Sequence, residues 1–197
     1  IEIKQNAAEI RTASTRVRLL GSSAVDEFPP FPAMDDKKCV EICGADLADA
    51  ANKTVFATAR GDTRFAMNGV LFCIEKTQAE FVSSDTHRLS LVRKKIRNAG
   101  QEKVEAIVIT KGISNLAKIA LGQETVELQI SGHEMMARTA NARLVSRLVD
   151  GQFPRYREVI PKDLPNSVTV QREALVRAVR LMGDVANNES HAVHFLV

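Results

Sequence analysis

The feature that most constrains this chain is an internal repeat. Displaced by 125 residues, IEIKQNAAEIRTASTRVRLLGSSAVDEFP (1–29) lies on VELQISGHEMMARTANARLVSRLVDGQFP (126–154) without a gap. Identities fall at Glu2 and Glu127, Glu9 and Glu134, Arg18 and Arg143, Leu19 and Leu144, Phe28 and Phe153, and Pro29 and Pro154. Apolar Ile1, Ile3, Ile10 and Leu20 meet Val126, Leu128, Met135 and Val145. The expectation is one strand pair used twice, each copy ending at a Phe-Pro corner. A second match sets VEICGADLADA (40–50) on VTVQREALVRA (168–178) at a displacement of 128, with Leu47 over Leu175 and Ala50 over Ala178. Each copy reads as a strand followed by an amphipathic helix. Repeats of this size are whole domains rather than solenoid turns. The chain therefore reads as the end of one domain (1–32), a complete second domain (33–162) and the start of a third (163–197).

Periodicity gives two helices inside the complete domain. GADLADAANKTVFATA (44–59) puts Leu47, Ala50, Ala51 and Val55 on one face, with Asp46, Asp49 and Lys53 on another. KGISNLAKIALG (111–122) does the same with Ile113, Leu116, Ala117 and Ala120, and Gly122 is a stop signal. The surrounding runs VEIC, GVLFCIEK, EFVSS, RLSLV, VEAIVI, VELQI and ARLVSRLV read as strands. Many strands and few helices, without regular alternation, predict an α+β fold with antiparallel sheets.

With 45% hydrophobic residues the chain has material for a sizeable core. It starts at Ile1 and stops on HFLV, and the expectation is that both ends pass through structure. No run approaches the roughly 18 apolar residues of a membrane span, and no signal-peptide pattern opens the chain, which favours the cytoplasm. Cys39, Cys43 and Cys73 make an odd set without framework spacing and read as reduced thiols. Cys39 and Cys43 fall in an expected strand, where four residues span roughly 13 Å, too far for two ligands of one zinc. His191 and His194 point to opposite faces of an expected strand, and His133 follows a glycine in an expected hairpin turn, so no metal site is expected. No phosphate-cradling glycine motif is present, so no nucleotide cofactor is expected. A net charge of +3 is too small to announce a nucleic-acid binder by itself. The densest basic run, RKKIR (93–97), reads as a solvated strand end and loop.

SSDTHRLSLV (83–92) brings two serines, an aspartate and a histidine within five positions, the residue types of a hydrolase. A triad draws on distant positions and a glycine-lined elbow, and neither feature occurs here. Ser84, Asp85 and His87 read instead as a turn between two strands, with Ser and Asp bonding nearby backbone.

GDTRFAMNGVLF (61–72), SSDTHRLSLV (83–92), VITKGISNLAKI (108–119) and SRLVDGQFPRYREVIP (146–161) occur together, in order, in one family. On these motifs the chain resembles the bacterial DNA polymerase III beta sliding clamps over its whole length. The resemblance implies a DNA-clamp fold of three tandem domains, each with two helices and antiparallel sheets. It implies a non-catalytic processivity factor without cofactors: a head-to-tail homodimeric ring around duplex DNA that tethers the replicative polymerase. The clamp loader and other proteins with clamp-binding motifs would share its partner site. That site is implied at Thr86, His87, Arg88 and Leu89, with Pro154 and Val159, as a pocket between the second and third domains. Leu89, Pro154 and Val159 would form apolar walls, and His87 and Arg88 a polar rim. Many clamps have Gly where Thr86 stands and a basic residue where Glu158 stands, which implies a tighter, less positive pocket. Sequence-independent DNA contacts are implied at Lys53, Arg60, Arg64 and Lys111. Arg64 is equally readable as a structural partner of Asp62. Ala66 stands where some clamps carry an aromatic. The rival readings are a peptide-binding scaffold unrelated to DNA and, behind it, the hydrolase.

Overall fold

The computed structural model describes residues 1–4, 7–21, 30–59, 61, 65–98, 103–186 and 193–196. The two helical periodicities become α1 (Gly44–Val55) and α2 (Thr110–Ala120), a few residues shorter at the C-terminal ends than their patterns. Thr54, buried near the end of α1, donates its hydroxyl back to the Ala50 carbonyl at 2.8 Å, and α1 stops one residue later. The helices pack on each other and turn Leu47, Ala50 and Ala51, and Ile113, Leu116 and Ala120, into one core. Glycine is required where α1 meets the end of α2 and where α2 meets the strand that carries Ser146. A Cβ on Gly44 would lie 2.3 Å from the Gln123 carbonyl oxygen, and one on Gly112 would lie 2.3 Å from Ser146 Oγ.

The remaining core comes from strands: β4 (Val40–Cys43), β5 (Gly69–Glu75), β6 (Gln78–Ser84), β7 (Leu89–Lys95), β8 (Arg97–Asn98), β9 (Val104–Ile109), β10 (Thr125–Ser131), β11 (Glu134–Arg138) and β12 (Arg143–Val149). Among the described residues they join in the order β7-β6-β5-β9-β12-β11-β10-β4-β8, every pairing antiparallel. β5 is buried from Gly69 to Ile74, as its uninterrupted apolar run requires of an interior strand. Phe72 and Phe81 meet across β5 and β6 edge to face, with centroids 4.6 Å apart. β7 is an edge, and its far end carries the basic run. There Arg93 pairs with Glu80 and Lys94 with Asp46 and Asp49, while Ile96 is buried, so the run is structural as well as solvated.

The N-terminal strands β1 (Glu2–Lys4), β2 (Ala7–Arg11) and β3 (Arg16–Leu20) form a separate antiparallel sheet that repeats β10, β11 and β12. Its register corrects the displacement. Glu2 opposite Glu9 corresponds to Gln129 opposite Met136, and Glu9 opposite Arg18 to Met136 opposite Val145, a shift of 127 (136 − 9 = 127) rather than 125. The turns agree. Thr12 N donates to Thr15 O at 2.8 Å and Thr15 N to Thr12 Oγ1 at 3.1 Å. Thr139 N donates to Ala142 O at 2.9 Å and Ala142 N to Thr139 Oγ1 at 3.0 Å. The true signature is RTASTR (11–16) over RTANAR (138–143). A two-residue slip preserves which face each strand residue occupies, so the apolar pattern matched at either displacement.

The chain divides into two compact units, Ile1–Pro154 and Arg155–Val197. The second holds a short helix, α3 (Tyr156–Val159), and α4 (Arg172–Val185). α4 begins where the second repeat match places a helix, but the strand expected at 168–171 does not form. A strand needs a neighbour to satisfy its backbone, and none of the described residues pairs with this segment.

Candidate functional site

The turn between β6 and β7 is built by its own side chains. Ser84 Oγ accepts from Thr86 N at 3.2 Å and donates to the Arg88 carbonyl at 2.9 Å. Asp85 Oδ1 accepts from His87 N at 3.1 Å and Arg88 N at 3.0 Å, and Asp85 Oδ2 accepts from Arg88 Nε at 3.0 Å. Burial pushes the Asp85 carboxyl upward, but the Arg88 and His87 backbone donors and the Arg88 guanidinium outweigh it and hold the group below the usual carboxylate range. The serine and aspartate that suggested a nucleophile and its helper are thus engaged in holding backbone. Thr86 takes φ +79°, the left-handed region that favours glycine.

The turn is fastened to the end of α1. Ser83 Oγ, fully buried, donates to the Thr54 carbonyl at 2.6 Å, and Ser90 Oγ donates to the Lys53 carbonyl. These hydroxyls serve carbonyls that a helix C-terminus leaves without intrahelical partners. The Arg88 guanidinium lies 5.4 Å from the centroid of Phe56, the capping residue of α1. Further along, Lys94 Nζ sits 2.9 Å from carboxylate oxygens of both Asp46 and Asp49. Hydrogen bonds that Lys94 donates to Asp49 and Asp46 raise the Lys94 pKa, and those that Lys94 and Lys53 donate to Asp49 lower that of Asp49.

Of the proposed partner residues, Thr86, His87 and Arg88 are exposed and Leu89, which opens β7, is half-buried. Pro154, exposed, ends the first compact unit, and Val159, 69% exposed, ends α3 in the second. Of the proposed DNA residues, Arg60 and Arg64, together with Asp62, lie outside the described residues. Lys53 is exposed in the last turn of α1 and pairs with Asp49 at 3.0 Å. Lys111 is exposed in the first turn of α2 and has no ion pair among the described residues. Lys118, two turns on and also exposed, shares its face; the sequence reading missed it, although the seven-residue spacing was there to find it. Phe56, Ser83 and Ser90 were missed as well, because nothing local ties residue 56 to residue 88.

Cys39 lies just before β4 rather than within it; burial pushes its thiol up, and Sγ donates to the Asp35 carbonyl at 3.3 Å. His133 lies exposed in the β10–β11 turn. His194 is exposed outside regular structure rather than in a strand, and His191 lies outside the described residues. Among the described residues, no three His, Cys, Asp or Glu side chains gather as a metal-binding group, and no helix is long and apolar enough to cross a membrane.

Residues 41–155 match the family model described as DNA polymerase III beta subunit, central domain. The chain is 26% identical to the beta sliding clamp of Synechococcus elongatus over 98% of its own length and 52% of that protein's. It is 30% identical to that of Proteus mirabilis over 98% of its own length and 53% of the relative's. A crystal structure of the DNA polymerase sliding clamp from Pseudomonas aeruginosa superposes with a TM-score of 0.83 at 25% identity, over 95% of this chain and 51% of that one. The chain spans about half the length of the relatives it matches.

Proposed function

Since this chain belongs to the DNA polymerase III beta subunit family, we propose that it is part of a sliding clamp that encircles duplex DNA and tethers the replicative polymerase. The observation that carries the reading is the repeat. A central-domain match over 41–155 follows a three-stranded sheet whose register is that of β10–β12, as tandem clamp domains require. On this reading the domain borders fall near residues 32 and 162, and the complete protein closes a homodimeric ring in the cytoplasm. A ring survives the breaking of any one phosphate contact, so weak contacts at Lys53, Arg60, Arg64, Lys111 and Lys118 combine sliding with retention.

The turn at 84–88 supports a binding role for Thr86, His87, Arg88 and Leu89. Rigid local hydrogen bonding presents a half-buried Leu89 beside polar groups, the mixture that seats an apolar side chain and fixes its orientation. Polymerase, clamp loader and other motif-bearing proteins would compete for it. The test is fluorescence anisotropy of a fluorescein-labelled C-terminal peptide of the cognate polymerase against the full-length protein. Saturable binding lost in Leu89→Asp supports the reading; equal binding by a folded Leu89→Asp variant overturns the assignment of the site.

A further inference from the structure

The Arg88 side chain is 57% exposed yet held on two sides. Asp85 Oδ2 takes its Nε–H at 3.0 Å, and the Phe56 ring lies 5.4 Å from its central carbon. Its terminal N–H groups have no partner among the described residues. Phe56 is 54% exposed, so its ring is available to Arg88 at the surface rather than packed into the core. It follows the last residue of α1, whose final carbonyls are fixed by Ser83 and Ser90, so the ring stands on a rigid mount. An arginine on a flexible stem loses side-chain entropy when it binds; one already held by a ring and a carboxylate has lost part of it in advance.

We propose that Phe56 is a positioning residue of the partner site: with Asp85 it fixes the Arg88 guanidinium so that its terminal N–H groups receive a carbonyl or carboxylate oxygen of the bound peptide. The inference rests on the reading of 86–89 as that site. Phe56 touches no reacting or bound atom in this scheme and acts through Arg88.

The experiment uses the full-length protein and the same fluorescein-labelled polymerase peptide, with Phe56→Leu, Phe56→Tyr, Arg88→Ala and the double variant Phe56→Leu/Arg88→Ala. A ring–guanidinium contact at an exposed site corresponds to about a two- to fivefold change in affinity. Phe56→Leu is expected to weaken binding by that factor, Phe56→Tyr to restore it, and Phe56→Leu to change nothing further once Arg88 is gone. Independently of any peptide, the Arg88 Hδ protons are expected to show an upfield ring-current shift that Phe56→Leu abolishes while the turn amides keep their positions. Unchanged binding in Phe56→Leu alongside weakened binding in Arg88→Ala overturns the inference and spares the partner-site reading. Equal weakening by Phe56→Leu with and without Arg88, or no ring-current shift in the parent, also overturns it. Full binding by both Arg88→Ala and Leu89→Asp overturns the partner-site reading, and the inference falls with it.

Discussion

Replacing Thr86 by glycine is expected to stabilise the protein, although it removes a side chain from a surface turn. Thr86 sits at φ +79°, where a Cβ crowds the backbone and costs an L-residue roughly 1–2 kcal/mol, and β-branching does not ease the fit. The turn does not relax because three consecutive backbone donors are fixed: Thr86 N to Ser84 Oγ, and His87 N and Arg88 N to Asp85 Oδ1. The threonine hydroxyl has no hydrogen bond among the described residues, so glycine forfeits little. Glycine's extra freedom in the unfolded chain takes back roughly 0.5–1 kcal/mol. The net gain is about 0.5–1 kcal/mol, or a rise in Tm of about 1–4 °C for a chain of this size. Urea and thermal unfolding followed by circular dichroism would measure it, with Thr86→Ala and Thr86→Val as controls that keep the Cβ and show little or no gain. A Thr86→Gly protein no more stable than the parent, or a Thr86→Val protein at least as stable as the glycine variant, would refute the claim that backbone strain dominates at this position.

Lys111→Gln and Lys118→Gln should each flatten the plot of log affinity for duplex DNA against log salt by up to about 0.9. Lys53→Gln should do less, because Asp49 already neutralises that ammonium; equal slopes for all three would count against the α2 face. The Asp85 and Asp49 carboxyls lie below their usual value of 3.8. Their contribution is therefore fully present above that pH and is lost as pH falls through the lower folded-state values. Asp85→Asn should accordingly lower the urea midpoint at pH 7 and close the gap to the parent as pH falls through the lowered folded-state value, and a gap that does not narrow as pH falls would rule out the charge as its source. Gly44→Ala should destabilise by about 1–3 kcal/mol, since its Cβ would lie 2.3 Å from one carbonyl oxygen and 2.5 Å from another. Gly183→Ala in α4 meets nothing within 4 Å and should gain about 1 kcal/mol of helix propensity; calorimetry of the pair separates the two mechanisms.

What was legible in the sequence follows from the range of the interaction that writes it. Helix faces at 44–55 and 110–120 and strands β5, β6, β7 and β9 are imposed every two to four residues and form within a few residues of where their patterns put them, whereas β8 (Arg97–Asn98) falls at the end of the basic run that reads as a strand end and loop. The repeat was legible as a repeat, yet its register was not, because alternation is blind to a slip of two and only the RTAxxR turn distinguishes 127 from 125. The segment 168–171 has strand composition without a strand, since pairing depends on a neighbour that composition does not supply. The candidate site shows the same limit from the other side. Arg88, Ser90 and Lys94 meet Phe56, Lys53 and the Asp49–Asp46 pair in that order, so β7 and α1 run antiparallel. Two residues of strand advance about 6.6 Å, close to the roughly 4.5–6 Å of three or four residues of helix, so a period-two set on one element can address a helical stripe on the other. Either set alone reads as side chains facing solvent. The turn itself was legible, because Ser84 and Asp85 bond backbone only two to four residues away, whereas its fastening to the end of α1 through Ser83, Ser90 and Arg88 appears only when the two elements are juxtaposed.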